Sequence, residues 1–159
     1  MASRRGWAIL SIVGFVLWSA SSLAWADEPT YVTNKKCKPC HGKQTKSWQE
    51  TKMAKAFDLL KPEEQKKAEC LVCHTTGYGK EGGFKSLEET PTMVGVQCEG
   101  CHGPGSVYFR VMKDKEKRVA GGLWEQKETV CQACHNKKSP TFKGFKFDKN
   151  VGIHEHFTQ

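Results

Sequence analysis

The chain has 159 residues, a net charge of +8, eight Cys and six His. That length allows one domain or a small pair. Leu, Ile, Val and Phe make up only about 17% of residues 27–159, too little for an ordinary apolar core, which excludes a Rossmann or barrel enzyme and a multi-spanning membrane protein.

Residues 1–26 read as a secretory signal. Arg4 and Arg5 form the charged start, residues 8–18 are a short apolar run, and Ala24-Trp25-Ala26 is a small-x-small cleavage site. The run is too short for a span, and Ser19, Ser21 and Ser22 interrupt its far end. The expectation is an exported, periplasmic chain with one domain over 27–159 and no membrane span after cleavage.

Residues 45–60 predict the clearest helix, with Trp48, Met53, Ala56, Phe57 and Leu60 on its apolar stripe. Pro62 stops it and opens a short polar helix through Ala68. Residues 75–95 are rich in Gly and read as loop, with room for a short hairpin. Gly103-Pro104-Gly105 punctuates the chain, and Ser106 can cap a helix running to about Val119. Residues 123–134 read as helical, and 136–150 as irregular and basic. The expected fold is mostly α with extensive loop and little or no sheet.

The cysteines say what replaces the core. They fall in four C-x-x-C pairs, Cys37/Cys40, Cys70/Cys73, Cys98/Cys101 and Cys131/Cys134, each followed at once by His41, His74, His102 or His135. Four such coincidences would arise by chance about twice in a million. C-x-x-C-H is the attachment signal for c-type haem: two thiols reach the two vinyl groups of one porphyrin edge, and the adjacent imidazole sits under the iron. Two zinc ribbons or four short disulfides would use the cysteines but leave each His unexplained. A thioredoxin-like pair would need a βαβ context. Four covalent haems are therefore expected, with the chain wrapped around them.

Each iron then needs a sixth ligand or stays open. Outside the motifs, residues 27–159 offer His154, His156, Met53, Met93 and Met112. Two spare His allow at most two bis-His haems. From pattern alone Met53 and Met112 read as core residues, Met93 as a loop residue packing near a haem edge, and His154 as a surface His.

Further residues carry a resemblance. They are Ser47-Trp48-x-x-Thr51-x-Met53-Ala54-Lys55-Ala56, Gly77-Tyr78-Gly79, Gly82-Gly83-Phe84, Cys98-Glu99-x-Cys101-His102-Gly103-Pro104-Gly105, Phe145-Lys146-Phe147-Asp148 and His154-Glu155-His156. With these the chain resembles the tetrahaem cytochrome c-554 family, multihaem c-type cytochromes of the kind found in ammonia-oxidising bacteria. The resemblance implies distal ligands at three positions, held here by Met53, Met112 and His154, and a five-coordinate haem on the second motif. It implies Met112 facing the haem of His41, Met53 that of His135, and His154 that of His102. It also implies a periplasmic electron shuttle between a redox enzyme, a hydroxylamine oxidoreductase in the family, and a downstream cytochrome. The rival reading is an enzyme that reduces nitric oxide or a similar molecule at an open haem on His74. The basic charge is read as compensation for haem propionates and not as a nucleic-acid face.

Overall fold

Thr51 decides the shape of the first third of the chain. The apolar stripe over 45–60 predicts one helix, but α2 spans Gly42–Gln49, after the single turn of α1 at Asn34–Cys37. The Thr51 hydroxyl donates to the Trp48 carbonyl at 2.8 Å and accepts from the Ala54 N–H at 3.1 Å, a local pairing that competes with helical bonds. The Met53 carbonyl accepts both the Ala56 N–H at 3.2 Å and, from across the fold, the Val96 N–H at 2.9 Å. A 3₁₀ turn at Ala56–Leu59 rotates Phe57 inward. The structure, a computed structural model, describes residues 28–147; the secretory signal, His154 and His156 lie outside the described residues.

Pro62 does not open a helix. Residues 62–66 are turns, with Glu64 accepting the Lys61 N–H at 2.8 Å, and α3 follows at Ala68–His74, where the predicted helix was to end. Residues 75–95 form the expected loop. A single antiparallel bridge, Thr75 to Val94, is the only strand pairing among the described residues. Thr76 organises this loop from a fully buried position: its hydroxyl donates to the Gly95 carbonyl and accepts the Gln97 N–H, both at 2.8 Å.

Helix α4 is Cys98–His102. Ser106 does not cap a helix, because its hydroxyl accepts the Thr30 N–H at 2.8 Å from the N-terminal arm. A 3₁₀ turn at Tyr108–Arg110 follows, and α5 begins later, at Lys115–Ala120, capped by Asp114. The predicted helix over 123–134 shortens to α6 at Glu128–Gln132. Its first residues are instead tied to the back of α4: the Trp124 N–H donates to the His102 carbonyl at 2.9 Å, and the Gln126 amide to the Cys101 carbonyl at 2.7 Å.

The apolar core is small. Phe57, Leu60, Leu71, Phe84 and Met93 cluster beside α3, with Tyr31, Cys70, Tyr78 and Val94 against them. The Phe57 and Phe84 rings meet at 5.7 Å. Met93 is 1% exposed within this cluster, so it serves packing. Phe84→Ala is expected to cost roughly 3–5 kcal/mol in denaturant unfolding, against no more than about 0.5 kcal/mol for Leu87→Ala on the open surface.

Candidate functional site

All four C-x-x-C-H segments are single helical turns. The second and third lie wholly within α3 and α4. The first begins at the last residue of α1 and the fourth inside α6. In these two the His N–H still donates to the carbonyl of the first Cys, His41 to Cys37 and His135 to Cys131, both at 2.9 Å. A helical turn puts positions i, i+3 and i+4 on one side. The backbone of each motif can therefore offer two thiols and an imidazole from one face, which is what a haem edge and its iron require.

Cys40 departs from that expectation in its surroundings. Motif spacing pairs it with Cys37 at one enclosed haem edge, yet Cys40 is exposed while the other seven cysteines are half-buried. The cause is local. Helix α1 stops at Cys37, and residues 38–43 are all exposed. The Cys40 N–H closes only a tight turn, donating to the Cys37 carbonyl at 3.2 Å. The first motif thus has one half-buried cysteine and one exposed one.

The turns come together in two pairs. The Cys37 and Cys98 thiols hydrogen-bond each other, joining the first motif to the third. That bond, with burial, pushes the Cys37 thiol up. The Cys134 sulfur lies 4.0 Å from the Val72 carbonyl in α3, and burial together with the neighbouring Cys73 pushes its thiol up to about 12. Fourth and second motifs are thus adjacent, and Cys101 of the third lies within electrostatic reach of Cys134. None of the eight cysteines is in a disulfide.

Between the first and third motifs lies a cavity of about 350 Å³. Cys37, His41, Cys98 and His102 line it, with Thr45 and Trp48 from α2 and Tyr108, Met112 and Leu123 closing the far side; Cys40 is not on its wall. Trp48 is fixed there by its indole N–H, which donates to the Val96 carbonyl at 2.8 Å. Arg118 also lines the cavity, and its buried Nε has no hydrogen-bond partner among the described residues. An unpaired buried guanidinium nitrogen is costly in an apolar wall and calls for an anionic oxygen. The thiols, the imidazoles and this single cationic donor together fit a haem with its propionates.

The other imidazoles are differently placed. His74 is half-buried, and its Nδ1 lies 2.5 Å from the Ala56 carbonyl. Donation from Nδ1 fixes the tautomer, orients the ring and leaves Nε2 for a metal. His135 is exposed and stacks on Phe145, ring centres 4.8 Å apart. Met112 lines the cavity that holds His41, the neighbour the resemblance implies. Met53 sits half-buried in the turn after α2, away from that cavity wall.

Two residues with no assigned role in the sequence reading prove central. Glu99, inside the third motif, is 0% exposed and accepts N–H bonds from Val32, Thr33 and Gly105 at 2.7–3.1 Å. Burial raises its pKa while those three N–H groups oppose the rise. Arg118 was equally silent. An acid within a C-x-x-C-H motif and just before Gly-Pro-Gly is the one signal that pointed at Glu99; a lone Arg on a short helix carries none.

Helical turns that each present a thiol pair and an imidazole, around so small an apolar core, define a c-type cytochrome. The comparisons place it more closely. The family model described as cytochrome c554 and c-prime matches residues 36–103. The chain is 32% identical to cytochrome c-554 of Nitrosomonas europaea, an alignment that spans 90% of this chain and 82% of that protein. The fold is similar to the solved reduced state of Nitrosomonas europaea cytochrome c554, with a TM-score of 0.61, 29% identity and coverage of 82% and 79% of the two chains. The chain belongs to the cytochrome c-554 family: an electron-transfer cytochrome with covalently bound haem c, acting with redox partners. No helix among the described residues is long and apolar enough to cross a membrane.

Replacing Arg118 by Met removes the cation from the cavity wall and leaves any propionate there uncompensated. Spectroelectrochemical titration of the variant should show the potential of the haem beside it lowered, since lost positive charge favours Fe(III).

Proposed function

We propose that the chain carries four haems, one on each C-x-x-C-H motif, and acts as a periplasmic electron shuttle between a redox enzyme and a downstream cytochrome. Cys37/Cys40, Cys70/Cys73, Cys98/Cys101 and Cys131/Cys134 form the thioethers; Cys40 takes its place in the first pair on motif spacing alone. His41, His74, His102 and His135 are the proximal ligands, and Met53, Met112 and His154 the distal ones. The mature domain is 27–159, released by cleavage after Ala26. A hydroxylamine oxidoreductase is the donor that the family suggests.

The observation that carries the reading is the pairing of the motifs. First meets third through Cys37 and Cys98, fourth meets second at Cys134 and Val72, and Cys101 links the two pairs. Attachment edges this close make a continuous route for single electrons across a small protein. Haem c, when bound, supplies the Fe(III)/Fe(II) couple. The chain's own residues set the conditions. Trp48, Tyr108, Met112 and Leu123 give the first and third sites an apolar lining. The Ala56 carbonyl holds the His74 imidazole by its Nδ1 and strengthens Nε2 as a ligand. A Met thioether favours Fe(II) more than imidazole does, so Met53 and Met112 would raise two potentials above that set by His154.

Intact-mass measurement of the exported holoprotein should give four haem additions on a chain beginning at Asp27. Removing one thiol pair, Cys131→Ala with Cys134→Ala, should lower the haem absorbance per protein by about one quarter. A redox titration should resolve two higher-potential haems, and Met112→Ala should lower one of them and weaken the sulfur-to-iron charge-transfer band of the oxidised protein. Four potentials all in the bis-His range would remove the Met ligands from the scheme. Reoxidation by nitric oxide at turnover rates would favour an enzyme over a carrier.

A further inference from the structure

The arm before the first motif is held in an unusual way. Three consecutive backbone N–H groups, of Val32, Thr33 and Asn34, all donate to side chains of the third motif's helix and its cap. Val32 donates to both carboxylate oxygens of Glu99 at 2.9 and 3.1 Å, and Thr33 to Oε2 at 2.9 Å. Asn34 donates to Oε1 of Gln97 at 3.2 Å. Gln97 and Glu99 flank Cys98, and both are buried, at 3% and 0% exposure. Immediately after the arm comes α1, which ends on Cys37, the thiol that hydrogen-bonds Cys98.

The clamp is anchored on its far side. The Gln97 amide donates to the Thr92 carbonyl and, at 3.2 Å, to the Val94 carbonyl, and its N–H donates to Thr76. Glu99 also accepts the Gly105 N–H at 2.7 Å. Thr33 shows the force involved. It has a φ of +71°, the only positive value at a non-glycine among the described residues, and a β-branched residue holds such a conformation only where its surroundings over-determine it. Here its N–H is taken by Glu99 and its hydroxyl by the Lys35 N–H.

We propose that Gln97 and Glu99 are positioning residues that fix the first haem site against the third, and that the Glu99 carboxylate beside Cys37 and Cys98 lowers the potentials of that pair alone. This rests on the reading that both motifs carry haem. Two features separate it from a general stabilising role. The clamp bridges two attachment turns, so its release changes their spacing and leaves the second and fourth motifs alone. Its anion lies within electrostatic reach of both Cys37 and Cys98, and a buried negative charge stabilises Fe(III).

The test uses the exported holoprotein, wild type and three variants, each first counted for haems by intact mass and by peptide mapping of the four motifs. In Glu99→Gln the Thr33 N–H meets an amide in place of an oxygen. Amide exchange at residues 32–34 should then rise at least tenfold. Two of the four haems should become easier to reduce by about tenfold in equilibrium constant, which is about 59 mV for a one-electron couple, with the other two unmoved. Gln97→Ala removes no charge; exchange at Asn34 should rise and the magnetic interaction between one pair of ferric haems should change, without a common shift in potential. Gln97→Glu keeps an acceptor for Asn34 but sets its other oxygen against the Thr92 and Val94 carbonyls, so protection at Asn34 should be recovered only in part relative to Gln97→Ala. Unchanged exchange in both Glu99→Gln and Gln97→Ala overturns the clamp. Faster exchange with all four potentials unmoved, or all four shifted equally, overturns its redox role. If Glu99→Gln fails to mature, the exchange and magnetic interaction of Gln97→Ala decide. A wild-type protein without haem on Cys37/Cys40 or Cys98/Cys101 overturns the underlying reading, while its exchange data still judge the clamp.

Discussion

The structure depends on one constraint: two thiols and an imidazole must leave the backbone from the same side within five residues. Only a helical turn does this, so helix is spent where a motif stands and is short elsewhere. Helices α3 and α4 are little more than their motifs, and α1 and α6 each end within or at one. Between motifs the chain has to turn back towards the next attachment point, and long helices would carry it past. This is why loops dominate and why five side chains, clustered beside α3, make up the continuous apolar core.

Loops without a core must be fixed by something directional. Here side chains bonded to backbone do that work. Trp48 ties α2 to the approach of the third motif, Thr76 ties the loop after α3 to the same place, and Gln97 and Glu99 draw in the N-terminal arm. All of these bonds converge on the segment 94–99. The ion pairs among the described residues contrast with them: Lys85–Glu89, Lys117–Asp114 and Lys127–Glu125 are solvent-exposed and join residues close in sequence, where such pairs contribute little.

Much of this was open to reading in the sequence, and the limits have physical causes. The motifs were legible because covalent chemistry demands fixed spacing. Spacing does not report packing, so the solvent-facing position of Cys40 was not legible beside its three counterparts. The loop over 75–95 was legible because Gly there is needed for backbone that other residues avoid: Gly77, Gly79, Gly82 and Gly95 have positive φ, and a side chain on Gly83 would collide with the Gly77 carbonyl. The helix over 45–60 was misjudged because periodicity reports which faces are apolar and not whether a Thr hydroxyl will take over a helical bond. Ser106 looked like a cap because its real partner, Thr30, is 76 residues away. Glu99 failed in the same way: local composition marks a charge, and only tertiary contact shows that it is buried and shared among three N–H groups.

Those two kinds of charge bear on how such a protein can distinguish chemically identical cofactors. Ligand type separates potentials coarsely. Finer separation needs fixed charge in a dry environment, because exposed lysines are screened by water and salt. The region between the first and third motifs has a charge of each sign at different places: the half-buried Arg118 on the cavity wall, with its Nε enclosed, and the fully buried Glu99 next to Cys98. Their effects on Fe(II) oppose each other, and the distance from each charge to each iron sets the balance. Two sites built from the same five-residue motif then need not share a potential, even at equal exposure. Nothing equivalent to Glu99 stands inside the other three motifs, where the intervening residues are Lys38-Pro39, Leu71-Val72 and Gln132-Ala133. The third motif is therefore the one of the four whose intervening residues include an acid, and that acid is fully buried and bonded to the arm before the first motif.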